Sequence, residues 1–569
     1  MAWNSFDTPT ITWMGPCDEH DLQTAGTMTG RVLLINPRYP LSETPSPPLG
    51  LAYLAGALEA AGVTVRILDL VVMPKNETTL ADTLEAFQPE VVGITAVTMS
   101  AETAFDLVRE VKAITPDVLT VMGGPHVTFC TEETLSTVPE LDVIVRGEGE
   151  QTLVDLVAEA GRRGRWKAIA GLAFRNGAGL QETPWREPLS DLSRLPQPAR
   201  HGLPLGRYRT LGMPVSVTTS RGCPFQCVFC VGRRMVGARV RYRPALQVVD
   251  EMEQLAALGF RQINLADDLF TANPDHCYAI CEEIARRGLK IRWSSFARVD
   301  TVSEALLVQM RAAGCHAVSF GMESGNAAIL KRVRKKISLA QAREAVAICR
   351  RAGMEAYASF ILGLPGETPE TLQETMTFAR RLGEQGLTYG FHLLTPFPGT
   401  AVGDDPEAFG LRVLSRHWPD YHANRAVCAT RGIGREELDA VAEDWERRFK
   451  DHLDDIGRRM ACGQASEDER QQIRNMERTV ILHQLMLREA LEKRGPVPEG
   501  ASHRADILAL SRHVADDLPD WPEDKIQDAL RHALARKGLR CESAPDGRSV
   551  WRWVDHLAPA RQDRQKATA

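Results

Sequence analysis

Short apolar runs alternate with amphipathic stretches through most of this chain, beginning near residue 30. Val32-Leu-Leu-Ile35 has no polar position and reads as a strand buried on both faces. Leu51 to Ala61 has helical spacing and is closed by Gly62. Val63 to Leu68 is the next strand, Thr79 to Phe87 a helix, Val91 to Val97 a strand and Ala101 to Ile114 a helix. Val118 to Met122 stops at Gly123-Gly124-Pro125, and Val143-Ile-Val145 runs into Arg146-Gly-Glu-Gly-Glu150. Apolar strands separated by helices mean an α/β fold, a Rossmann-like parallel sheet covered on both faces, over about 30–165. Ligands of such sheets sit at the carboxyl ends of the strands.

From about 166 to 210 the pattern breaks. Ile169 to Gly177 reads as half a hairpin with an Asn-Gly turn. Pro184, Pro188, Pro196, Pro198 and Pro204 then suit an extended linker strap. Strand and helix alternate again over about 211–405. Val215 to Thr219 is the first strand, and Pro244 opens a periodic helix through Leu258. Strands at Gln262–Ala266, Arg292–Ser295, Ala317–Phe320, Ala356–Leu362 and Gly390–Leu394 follow, each ending in polar or glycine residues. These units predict a partial (β/α)6 TIM-type barrel with its chemistry at the C-terminal strand ends. Residues 406–569 read as a mostly helical C-terminal domain. Arg435 to Ala461 and Ser466 to Arg494 are long and charged, the second opened by the capping box Ser466-Glu-Asp-Glu469. Helices at 503–516 and 523–537 and a hairpin from Leu539 to Trp553, turning at Pro545-Asp-Gly547, resemble a small winged-helix module. Residues 1–29 show no periodicity and read as an N-terminal arm.

Composition adds limits. A chain of 569 residues is too long for one core, so about two to four domains are expected. Hydrophobic content of 44% and charged content of 25% are ordinary for a globular protein. A net charge of -6 gives no reason to expect nucleic acid or an acidic membrane. Residues 503–569 carry balanced charge, which favours a lid or partner-docking role over nucleic acid. No apolar run approaches the ~18–20 residues of a membrane span. Met1 to His20 lacks the basic and apolar regions of a signal peptide, so a cytoplasmic setting is expected. Outside the loop described next, the cysteines are scattered and read as small buried hydrophobes.

The candidate chemistry lies just after the first barrel strand. Ser220-Arg-Gly222 breaks that strand, and Cys223, Cys227 and Cys230 follow at C-x3-C-x2-C spacing. Three thiolates on one loop can hold three irons of a [4Fe–4S] cluster, leaving the fourth iron open to a small molecule. A structural zinc site would need a fourth ligand and usually shows a second C-x2-C pair, which is absent. A disulfide reading needs an oxidising compartment, to which nothing in the chain points.

This loop resembles the signature of the radical S-adenosylmethionine (SAM) enzymes. Phe229 matches the aromatic that family places beside the adenine. The resemblance implies that SAM chelates the open iron and is cleaved by one electron to a 5′-deoxyadenosyl radical. The electron would come from a donor such as flavodoxin or ferredoxin. It further implies that Asp267 and Asp268 hold the SAM amino group and that Glu323 meets the ribose. Ile361 and Gly363 would wall the adenine, and Arg298 would pair with the SAM carboxylate.

The first domain is similar to the cobalamin-binding domain that precedes many such barrels. The phrases Asn36-Pro37, Pro48-Leu-Gly50, Gly123-Gly124-Pro125-His126 and Arg146-Gly147-Glu148-Gly-Glu150 carry that likeness. Thr95, Thr98 and Ser100 follow the third strand. With the Gly123–Gly124 turn they would leave a groove for the dimethylbenzimidazole tail. The D-x-H-x-x-G loop of other cobalamin proteins is absent, so no cobalt-ligating histidine is expected from it. His126 is the nearest alternative, and a solvated or backbone-bonded role is expected for it instead. Together the resemblances imply a cobalamin-dependent radical SAM enzyme that methylates an unactivated carbon or phosphorus. Its substrate would be a small natural product, lipid or tetrapyrrole. Two other readings stand beside it: a radical cyclisation like that of the anaerobic magnesium-protoporphyrin cyclase, and a cluster- and cobalamin-binding sensor.

Overall fold

The computed structural model describes residues 30–39, 45–74, 77–177, 179–494, 497–498, 503–543 and 548–557. The arm expected over 1–29, residues 40–44 of the proline-rich loop and the turn expected at Pro545-Asp-Gly547 lie outside the described residues.

The first sheet is built from β1 (Arg31–Asn36), β2 (Thr64–Asp69), β3 (Val91–Thr95), β4 (Leu119–Gly123), β5 (Val143–Val145), β6 (Leu172–Asn176) and β7 (Gly179–Glu182). Its order is β2-β1-β3-β4-β5-β6-β7, parallel through β5 and antiparallel after it. The parallel part has the doubly wound 2-1-3-4-5 order, whose switch point lies between β1 and β3. Helices α1 (Leu49–Ala60) and α2 (Glu77–Phe87) follow β1 and β2, and α3 (Ala101–Ile114) follows β3. The hairpin expected to start the linker instead extends this sheet. Leu172, Ala173 and Phe174 are apolar and fully buried, so burial joins them to β5 rather than to solvent.

The rest of the strap is not uniformly extended. It contains short 3-10 turns and the buried helix α4 (Leu205–Leu211). The barrel strands are β8 (Val215–Val217), β9 (Gln262–Leu265), β10 (Arg292–Ala297), β11 (Cys315–Glu323), β12 (Glu355–Leu362) and β13 (Leu387–Leu393), all parallel and in sequential order. β8 and β13 are not paired, so the barrel stays open. One face of this sheet packs under the crossover helices through Ile263, Leu265, Trp293, Phe320 and Phe360. The alternate positions face the lumen, as a period of two requires. There Phe296, Ser319, Tyr357 and Thr388 form one register layer across four strands, and Phe296 is 52% exposed.

The long helix α5 (Arg435–Ala461) covers the open edge. Its Trp445 ring lies 5.6 Å from Tyr389 and 5.3 Å from Phe391 of β13. The capping box at Ser466 opens α6 (Glu467–Leu487), which stops before a left-handed residue at Glu489. Then come α7 (His503–Val514), α8 (Glu523–Ala535) and a three-stranded sheet of Val497–Pro498, Leu539–Ser543 and Arg548–Trp553. This winged-helix-like module packs on α4, before the start of β8, and on Val71 and Val72 after β2. Arg207 of α4 reaches Asp555 at 2.6 Å, and His483 reaches the Val71 carbonyl at 2.9 Å. A Cβ on Gly206 would lie 1.7 Å from the Val554 carbonyl oxygen, so only glycine lets the two backbones meet. Gly206→Ala is therefore expected to cost about 1–3 kcal/mol and to open this junction to protease. An unfolding midpoint and digestion pattern equal to the parent's would show that the close approach does not form.

Candidate functional site

The cysteine loop is held from below, from the side and from above. Below it, Asp267 after β9 is buried and accepts from Thr219 N at 2.6 Å, Thr219 Oγ1 at 2.5 Å and Ser220 Oγ at 2.6 Å. At the turn, Gly222 has φ +111°, and a Cβ there would lie 2.2 Å from the Arg239 carbonyl oxygen. Beside the loop, Arg298 lies 3.5 Å over the ring of Phe225 while it grips Asp300 with two hydrogen bonds of 2.9 Å. Above it, Val402 N donates to the Val228 carbonyl at 3.1 Å. The segment carrying Val402 continues to Trp418, which packs on His126 and donates to Glu133 of the first domain. No sequence pattern had marked that crossing segment.

Around the thiols, Gly232 N donates to Cys230 Sγ at 3.4 Å, and Cys227 Sγ lies 3.9 Å from the Arg334 carbonyl. Burial pushes the Cys227 thiol up and the Cys230 thiol up to about 11. Phe229, Val228 and Ile361 share one apolar cluster with Leu364 and Leu394. Glu323 sits at the end of β11 with φ +63° and pairs with Lys335 at 2.7 Å, both nearly buried. Gly363 has φ +83°, and its N–H donates to Glu367. Burial raises the Glu367 carboxyl to about 7, and its Oε1 has no partner.

A cavity of about 300 Å3 lies between the two domains beside this loop. Its first-domain wall is Leu34, Gly93, Ile94, Thr95, Val121, Gly123, Gly124, Pro125 and Val145, the C-terminal ends of strands flanking the β1/β3 switch point. Gly147 to Glu150 form its rim, and Arg221, Met235 and Val236 close it from the barrel. Glu148 bonds Arg241 at 3.0 and 2.5 Å and lies 3.7 Å from Arg221; Glu150 bonds Arg221 at 2.6 Å.

Two family models match this chain, the B12 binding domain over residues 42–157 and the Radical SAM superfamily over 217–379. An uncharacterised methyltransferase, PH0819, of Pyrococcus horikoshii is 36% identical over 398 residues, spanning 69% of this chain and 86% of the relative. The chain belongs to the cobalamin-binding radical SAM family. The anaerobic magnesium-protoporphyrin IX monomethyl ester cyclase of Rubrivivax gelatinosus is 34% identical, with 74% of this chain and 77% of the cyclase aligned. The fold matches the radical SAM methyltransferase TsrM from Kitasatospora setae, solved with cobalamin and a [4Fe–4S] cluster bound. That match has a TM-score of 0.59 and 23% identity over 68% of this chain and 78% of that one.

The residues fit the family's cofactors. Among the described residues no three His, Cys, Asp or Glu side chains form a site for a single metal ion. Three thiols on one loop suit three corners of a [4Fe–4S] cluster. The cavity fits a slender, mostly apolar tail. Gly50, Gly93, Gly123, Gly124, Gly147 and Gly149 line it, so backbone rather than side chain forms much of its wall. Gly124 has φ +101°, and a Cβ there would meet the Ala96 carbonyl at 2.6 Å.

Several expected site residues stand elsewhere. Asn36 donates to buried Asp69 at 2.8 Å rather than facing the cavity, and Pro37 is buried beside it. Thr98 and Ser100 are buried in a 3-10 turn whose hydroxyl at Ser100 bonds the Val97 carbonyl. His126 is neither solvated nor backbone-bonded. It is 1% exposed, both ring nitrogens lack partners, and it packs between Phe105 and Trp418. Burial lowers its pKa to about 4. Asp267 is consumed by its three hydrogen bonds and Arg298 by Asp300, which leaves Asp268 as the acid near the thiols. Its Oδ1 and Cys230 Sγ lie 3.0 and 3.5 Å from where a Cβ on Gly232 would sit. The cavity residue that sequence reading missed most plainly is Gly93. An isolated glycine inside an apolar strand signals close approach of something to the backbone.

Two outcomes follow. Cys227→Ala should lose both the cluster absorbance after reconstitution and SAM cleavage. Glu367 should make stability fall as pH rises. Its folded carboxyl holds a proton up to about 7, against an ordinary value of 4.5. Stability is thus fullest below 4.5 and declines through 7, by up to about 3 kcal/mol. Glu367→Gln keeps the acceptor and removes the slope. Melting curves of both proteins at acid and alkaline pH check this, and parallel slopes would refute it.

Proposed function

We propose that this chain is a cobalamin-dependent radical SAM methyltransferase acting on an unactivated carbon, or on phosphorus, of a small molecule. One observation carries the reading: the switch-point cavity of the first domain is closed by Arg221, Met235 and Val236, residues that bracket the cysteine loop. A cofactor tail in that cavity and a cluster on that loop are then neighbours. When bound, the cluster supplies the electron that cleaves SAM, and cobalamin carries the methyl group that a substrate radical takes up.

The chain's own work is positioning and enclosure. Cys223, Cys227 and Cys230 hold the cluster. Phe229 and Ile361 form an apolar wall for the adenine, and Asp268, which has no ion-pair partner among the described residues, is the carboxylate for the SAM amino group. Thr95, Gly123, Gly124 and Gly147 shape the cobalamin slot. Phe296 and Tyr357 offer aromatic surface to a substrate in the lumen, which supports a partly apolar or ring-bearing molecule. The names of PH0819 and TsrM support methyl transfer, and those of the cyclase relatives support ring closure on a tetrapyrrole. A cytoplasmic setting would provide the reduced carriers this chemistry consumes.

The deciding experiment is anaerobic product analysis of the reconstituted protein with SAM, a reductant and cell extract. S-adenosylhomocysteine and 5′-deoxyadenosine rising together with extract are expected. 5′-Deoxyadenosine alone would replace methyl transfer with cyclisation or rearrangement.

A further inference from the structure

The stretch Lys331-Arg-Val-Arg-Lys-Lys336 places cations at every position but one, in a chain of net charge -6. It leaves the short helix Ala327–Arg332 and runs against the cysteine loop. Val333 is buried and its carbonyl accepts from Val228 N at 3.2 Å. Arg334 brings its carbonyl to Cys227 Sγ. Arg334 and Lys336 both have φ +57°, a strained choice for residues with a Cβ. The two left-handed steps turn Lys335 inward to Glu323 and leave its neighbours outside. Lys331, Arg332, Arg334 and Lys336 are exposed, and none has an ion-pair partner among the described residues. Arg239, also exposed, flanks the loop where its carbonyl meets Gly222. Of the acids nearby, Glu323 is spent on Lys335, Asp300 on Arg298 and Asp404 on Arg234, and Asp268 stands on the Cys230 side of the loop.

Unpaired like charges held together repel one another, so such a patch is stabilised when an opposite surface covers it. It also lies against the cysteine loop, with the Arg334 carbonyl 3.9 Å from Cys227 Sγ. Resting on the function proposed above, we propose that Lys331, Arg332, Arg334 and Lys336, with Arg239, are the docking surface for an acidic one-electron carrier protein. At this interface the carrier is oxidised by one electron and the cluster is reduced by one, with no bond made or broken. Without the patch, the chain's net negative charge would repel such a carrier.

The test uses the full-length reconstituted protein and two triple variants, Lys331→Glu/Arg334→Glu/Lys336→Glu and its Gln counterpart. Arg332 is left intact because it packs on Gly366. The probe is reduced flavodoxin, and titanium(III) citrate is the small-molecule control. Flavodoxin binding and bleaching of the cluster absorbance are measured at low and high salt. Parent protein should bind and be reduced at low salt, and lose both as screening rises. The Glu variant should fall by about tenfold or more and the Gln variant by less, while titanium reduction stays within about twofold of the parent. Flavodoxin reduction of the Glu variant at the parental rate and salt dependence would overturn the proposal. Cluster reduction without any SAM cleavage would instead count against the proposed function and leave docking readable from binding alone.

Discussion

The structure depends on a buried clasp between two carboxylates and two arginines. Glu148 and Glu150, at the start of the last helix of the first domain, hold Arg221 and Arg241 of the barrel, all with side chains at most 15% exposed. Arg221 stands two residues before Cys223. The loop that rims the interdomain cavity and the loop that carries the three cysteines are thereby one bonded unit. Charges this buried gain little over an apolar contact when complete, but removing one partner strands the others at a cost of about 3–5 kcal/mol. The clasp thus fixes geometry more than it adds stability. A second buried triad repeats the design: Glu251 of the first barrel helix takes Arg200 of the strap and Arg243, which also donates to Tyr53 of α1 at 3.1 Å. Tyr53 in turn lies under Arg221.

That clasp explains where sequence reading succeeded and where it stopped. Both α/β layers were legible because apolar strands and amphipathic helices are local patterns. The cysteine spacing was legible because three ligands sit within one loop. The motif Arg146 to Glu150 was also visible, but its meaning was not. Glu148 finds Arg241 93 residues away, and no local period reports such a partner. The same holds for Asn36, whose carboxylate partner Asp69 belongs to another strand, and for Asp267, whose partners Thr219 and Ser220 follow β8. A polar residue at a strand end is a site candidate from sequence. Whether it faces ligand or braces the loop depends on neighbours that only the fold supplies.

The C-terminal third was least legible for a related reason. Helix α5 buries only Leu438 and Ile456, so its pattern is that of a solvated helix. Its role comes from what lies beneath it, the unpaired edge of an open barrel, which would otherwise present free backbone groups. The module after it was read correctly as helices and a wing. Its position was not, because the apolar cluster that joins Tyr208 and Leu211 of α4 to Ile481, Leu482, Leu485 and Met486 of α6 brings together residues more than 250 positions apart.

The charge distribution around the thiols follows from the same economy of space. Lys335 and Arg298 point toward the loop, yet each is matched by its own carboxylate, Glu323 and Asp300. Burial pushes the Cys227 and Cys230 thiols up, and the Lys335 and Arg298 charges offset part of that rise at Cys227. The interior cations are each neutralised within their own pair. The exterior cations of the same stretch carry no such partners. A single strained loop thus separates two electrostatic environments: a paired one facing the cysteine loop and an uncompensated positive one facing solvent.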